Sequence, residues 1–171
     1  LRLFHVSEEP GITEFHPRPS PQVYKGIKGN VVFAISHEML HNYLLPRDCP
    51  RVTYYAGTDS DTKDIKHFFG NSVVKFIVTI EDGWLERVNN TILYIYEMPD
   101  DYFELLDATA GYYISYRRAE PLNVSVIKDI PAELKKLNVE LRTLLSLKIL
   151  AEQVSKSSLK YSIIRMRNAQ D

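Results

Sequence analysis

Two histidines bracketing a glutamate form the most explicit chemical string in this 171-residue chain, His37-Glu38-Met39-Leu40-His41. On an α-helix this spacing stacks two imidazoles one turn apart, and the glutamate between them can polarise a metal-bound water. A catalytic zinc needs a third protein ligand, for which His67 or Asp64 would serve. The sequence predicts helix over residues 37–45, with Ser36 as its cap and Pro46 as its stop. That is only about two turns, too short to hold both ligands rigidly. The expectation is therefore two surface histidines, Glu38 complementing the helix dipole, and no bound metal. A zinc hydrolase is the competing expectation.

Arg47-Asp48-Cys49-Pro50-Arg51 forms a second constellation, in a loop between helix and strand. Two guanidinium groups flanking a carboxylate could clamp a phosphate with paired donors. The plainer alternative is an Arg–Asp pair stapling a proline turn. Cys49 as a nucleophile would need an orienting histidine that the sequence does not designate. Arg165 and Arg167 alternate on the last segment and read as a solvated edge. Glu97, Glu104 and Asp107 follow one another around the stretch 98–111. A carboxylate in a cleft can stabilise an oxocarbenium-like sugar, so these are candidate catalytic acids.

The elements that must position these groups are mostly short strands. Residues 1–7, 30–35, 51–55, 73–80, 91–97, 112–116 and 122–128 are rich in β-branched and aromatic residues. Four prolines between residues 10 and 21 forbid a long helix there. Residues 59–69 read as a helix stopped by Gly70-Asn71. After Pro131 the pattern gives a helical turn or two, a strand at 139–143, an amphipathic helix at 146–156 and a final strand at 159–166. The expected architecture is α+β: one domain with a split, mostly antiparallel sheet over residues 1–130. Residues 131–171 are expected to pack on it as a helical brace.

A formal net charge of -1 supplies no basic field for nucleic acid or acidic lipid. The single cysteine excludes an internal disulfide and a cysteine zinc cluster. The apolar stretches 31–35 and 144–151 fall far short of the ~20 residues a membrane span needs. The expected setting is cytoplasmic, without membrane or nucleic-acid partner.

Leu3-Phe4-His5-Val6-Ser7, residues 46–51 and residues 162–169 resemble an uncharacterised family of small bacterial proteins over nearly the whole chain. A more distant resemblance carries chemistry. Phe4-His5-Val6-Ser7 resembles the aromatic-His-Gly-Thr strand that opens ADP-ribosyltransferase folds. Tyr94-Ile95-Tyr96-Glu97, with Ser115-Tyr116-Arg117-Arg118-Ala119-Glu120-Pro121-Leu122, is similar to the late strands of the rifampin ADP-ribosyltransferase family.

That resemblance implies NAD as a substrate, with ADP-ribosyl transfer or NAD cleavage as the activity and an acceptor the motifs do not name. It implies that His5, with Ser7, holds the adenine-side ribose. Phe33 would stack on the nicotinamide end where the family has a tyrosine, Tyr43 could supply the missing hydroxyl, and Arg51 would meet phosphate. Asp107, or failing it Glu104, would stabilise the ribosyl cation. The family's glycine after the histidine is Val6 here. The same fold without activity would be a ligand-binding or interaction module, and a cleft filled by Tyr112 or Tyr113 would point that way.

Overall fold

The computed structural model describes residues 1–171. In chain order its elements are β1 (Leu3–Ser7), β2 (Val32–Ser36), β3 (Arg51–Tyr55), α1 (Thr62–Phe69), β4 (Phe76–Glu81), α2 (Leu85–Asn90) and β5 (Leu93–Met98). There follow β6 (Glu104–Asp107), β7 (Tyr112–Ser115), β8 (Asn123–Ile127), α3 (Ile130–Lys136), β9 (Val139–Leu144), α4 (Lys148–Ser155) and β10 (Lys160–Ile164). Short 3-10 helices occupy His37–Tyr43, Asp82–Trp84 and Met166–Asn168. No helix is long and apolar enough to cross a membrane. The chain forms two compact units, Leu1–Tyr43 with Ile92–Ile127, and Leu44–Thr91 with Lys128–Asp171.

The first unit holds a six-stranded sheet in the order β6-β7-β2-β1-β5-β8, antiparallel at every pairing. Strand alternation puts Leu3, Val32, Ala34, Tyr96 and Met98 on one face, where Phe15, Phe103 and Ala119 cover them as a core. Burying each large side chain of this kind stabilises the unit by about 1.5–3 kcal/mol. The sheet has an opening. β1 pairs with β5 along five residues but with β2 only at Leu3↔Ser36 and Phe4↔Ile35. Beyond Phe4 the β1–β2 ladder ends, and a His5 side chain takes up the bonding instead.

The second unit holds a four-stranded sheet, β10-β3-β4-β9, antiparallel except where β9 runs parallel to β4. Val52, Tyr54 and Ile77 meet Phe68, Phe69, Leu147, Val154 and Leu159 in its core. α1 starts where the Asp61 carboxylate accepts from Lys63 N at 2.7 Å, and stops at Gly70, whose φ of 59° continues no helix. α3 is capped in the same manner by Asp129, which accepts from Ala132 N at 2.9 Å.

The α+β class and mostly antiparallel pairing are those expected from the sequence. Residues 131–171 differ from expectation. They are no brace on a 1–130 sheet but supply β9 and β10, two of the four strands of the second sheet. Strand pairing is the cause: β9 bonds β4 over six residues and β10 bonds β3 over five.

Candidate functional site

The β1–β2 opening is spanned by His5, whose Nδ1 lies 3.0 Å from the Phe33 carbonyl oxygen. A carbonyl only accepts, so Nδ1 carries the proton and Nε2 is the acceptor of the neutral ring. The imidazole also packs on Phe15, ring centres 4.6 Å apart. Ser7 Oγ, two residues on, accepts from Glu9 N at 3.0 Å and shapes the strand exit. By the pleat, His5 and Ser7 share the face of Tyr96, which pairs with His5.

Phe33 points to the opposite face, as do Tyr112 and Ile114, its neighbours across β7. Four half-buried rings gather there: Tyr24, Phe33, Tyr43 and Tyr112. Tyr112 sits 6.1 Å from Tyr24, 6.4 Å from Phe33 and 6.1 Å from Tyr43, always edge to face. The Tyr43 hydroxyl donates to the Tyr112 hydroxyl at 2.6 Å. Glu104 pairs with Ile114 and, after a bulge, Asp107 pairs with Tyr112, so both candidate acids emerge on the ring face. Asp107 is oriented by its own turn, Oδ1 accepting from Thr109 N at 2.8 Å and Ala110 N at 3.0 Å. Its charge reaches Tyr24. Burial first, then Tyr112 and Asp107, push the Tyr24 phenol up to about 12.

Phe33, Tyr43, Asp107 and Glu104 are thus brought together, while His5 and Ser7 lie at the opening and on the other face. Glu97 does not join the other acids. It is on β5, four strand spacings from β6, about 19 Å. There Arg2 grips it with Nε to Oε1 at 2.8 Å, holding its carboxyl below the usual range. Tyr24 was missed by sequence reasoning because it lies in a Pro- and Gly-rich stretch without periodicity. An isolated aromatic in such a stretch was the available signal.

Arg51, Cys49, Arg165, Asp64 and His67 fall in the second unit. Arg51 is 2% exposed and donates through Nε to Cys49 O at 2.9 Å and through Nη2 to Pro46 O at 2.7 Å. It staples the loop 46–51 through carbonyl groups. From the C-terminal segment, Arg165 Nε donates to Arg47 O at 3.2 Å and Asn168 to Asp48 O at 2.7 Å. Arg165 therefore ties this loop and is not merely a solvated edge. Cys49 is fully buried, and burial pushes its thiol up to about 11, far from a nucleophilic thiolate at neutral pH.

The His37–His41 string lies on a 3-10 helix, where residues four apart are separated by about 120°. His37 is exposed against the Phe4 ring and His41 is buried, so the two imidazoles do not share a face. Asp64 is held instead by Ser158, accepting from its N at 2.7 Å and its hydroxyl at 2.6 Å. His67 packs on the Phe68 ring. No group of three His, Cys, Asp or Glu side chains is arranged to hold a metal ion.

These features define an α+β protein whose first unit carries a ring-lined sheet face with two acids. The chain belongs to the family of unknown function DUF6886, whose model matches residues 4–169. No curated protein and no solved structure matches it.

Proposed function

We propose that the ring-lined face of the first unit binds a nucleotide of the NAD type, in the manner of an ADP-ribosyltransferase site. The observation that carries this reading is the meeting of four half-open rings with Asp107 and Glu104 on one face, beside an opening in the sheet. Rings of this kind stack on a planar heterocycle. Asp107 has one oxygen fixed by the turn, which aims the other. Opposite a nicotinamide ribose, that oxygen would stabilise the cation formed as the C–N bond breaks and the electron pair leaves with nicotinamide. Water or an acceptor hydroxyl then adds to the sugar carbon and releases its proton. His5 stands at the opening, where the resemblance would set the adenine-side ribose.

A second reading is favoured by one contact. The 2.6 Å bond between the Tyr43 and Tyr112 hydroxyls ties two rings to each other, which suits a binding module without turnover. Titration calorimetry with NAD and an assay of nicotinamide release separate the two. Turnover in wild type, abolished in Asp107→Asn with NAD affinity kept, supports cleavage. Asn keeps an Oδ1 to accept from Thr109 and Ala110, so the turn survives. Binding without release supports the module. His5→Ala should chiefly weaken binding in either case. Absence of NAD binding overturns both.

A further inference from the structure

An edge strand offers a row of unpaired N–H and C=O groups to any second chain. This protein has four such strands, β6 and β8 in the first unit and β9 and β10 in the second. Three carry a feature that discourages pairing. β6 has Glu104 and Asp107 at its ends and a bulge between Leu105 and Asp107. β9 carries Glu140 and Arg142, and β10 begins with Lys160. β8, Asn123-Val124-Ser125-Val126-Ile127, carries none. It has no charge and no proline, and it matches β5 over five consecutive pairs without a register shift.

One side of β8 is also apolar. Val124 pairs with Tyr96 and Val126 with Tyr94, so both valines stand on the face where Tyr96 enters the core and Tyr94 packs against it. The apolar layer runs to the margin of the sheet and stops there, with Val124 48% and Val126 50% exposed. Asn123 and Ser125, exposed on the other face, are polar. The strand complements itself. A two-fold axis normal to the sheet at Ser125 sets Ser125 against its own copy and Val124 against the copy of Val126. Such an axis keeps both cores on the same side of the joined sheet, so the two apolar layers meet. A strand without charge also meets its copy without like-charge repulsion.

We propose that β8 is the interface of a homodimer, in which a second copy of this chain pairs antiparallel about Ser125 and joins the two six-stranded sheets into one. With Leu122, 70% exposed just before the strand, the pairing buries on the order of 1,000 Å2 over both copies, which suits a weak, reversible dimer. Sedimentation velocity from about 5 to 500 µM should show a monomer–dimer equilibrium with a Kd on the order of 50 µM. Val124→Lys puts a charge at two symmetry-related points of the interface and should raise that constant at least about tenfold. Its melting temperature in dilute solution should match wild type, because Val124 is half exposed. Ser125→Cys tests the register. Directly opposed residues of antiparallel strands have Cα atoms about 4.5–5.5 Å apart, within disulfide reach, so mild oxidation should trap a covalent dimer. Leu105→Cys, on the opposite edge strand β6, should not be trapped. The native Cys49 is fully buried and does not compete. Monomer at every concentration, a dimer that Val124→Lys leaves intact, or faster linking through Leu105→Cys than through Ser125→Cys would each overturn the assignment.

Discussion

Replacing Arg51 tests whether the loop 46–51 is held from inside or kept open for phosphate. Arg51→Met keeps most of the stem volume and removes the fork. Two short bonds are lost, to Cys49 O at 2.9 Å and Pro46 O at 2.7 Å, with a longer one to Arg47 O at 3.4 Å. Each buried carbonyl left without its donor costs about 1–3 kcal/mol, so a loss of about 3–4 kcal/mol is expected. That is a large share of the roughly 5–15 kcal/mol that stabilises a domain. Two reporters lie in the same unit: Trp84, the only tryptophan, and Cys49, the only cysteine, which is fully buried. Urea unfolding followed by Trp84 fluorescence should show the lowered midpoint. Thiol labelling of Cys49 in native buffer should accelerate roughly 150-fold, the factor that about 3 kcal/mol adds to an opening equilibrium. Arg51→Lys keeps the charge but one point of contact, and should fall between the two. Labelling of Arg51→Met within fivefold of wild type, together with weakened NAD binding, would refute the staple and restore a ligand role.

Two further outcomes probe the first unit. Gly111 has φ 69°, and a Cβ there would lie 2.6 Å from Ser36 Oγ and 2.8 Å from the Met39 side chain. Gly111→Ala should therefore cost about 2 kcal/mol in thermal or urea unfolding. No measurable loss would mean the turn before Tyr112 can relax. Tyr24, with its phenol held up to about 12, should be among the last tyrosines to ionise in a spectrophotometric titration. The unfolded residue ionises near 10 and the folded one does not, so the unit should lose stability as pH rises from about 10 towards 12. Tyr24→Phe should lose less over that interval, and an identical alkaline profile would place Tyr24 in open solvent.

Local pattern carried the fold further than it carried the site. β3 was legible to the residue, because alternating β-branched and aromatic residues follow a proline. β6 carries no strand signal in the sequence, since Glu104-Leu105-Leu106-Asp107 is short and its ends are charged. Those charges suit it to its place at the sheet edge. α2 was missed because Asp82-Gly83-Trp84 opens it without a capping signal. The sorting of strands into two sheets rests on pairings between distant segments, β4 with β9 and β3 with β10. No local periodicity encodes such pairings.

The histidine string shows why a motif is only as good as the backbone beneath it. Its spacing is a statement about α-helical turns, and the sequence supplied both the letters and a cap. The segment nevertheless winds as 3-10 over His37–Tyr43. Its entry is fixed from elsewhere in the unit, Ser36 N donating to Gly111 O at 2.9 Å and His37 N to Arg2 O at 3.1 Å. Its far end delivers Tyr43 to Tyr112. The tighter winding turns His41 into the interior and leaves His37 outside, so one segment cannot present both imidazoles while it positions that ring. The aromatic face of β2 and β7 and the motif's metal geometry are thus alternatives for the same seven residues. The hydroxyl bond between Tyr43 and Tyr112 marks which of them the chain has adopted.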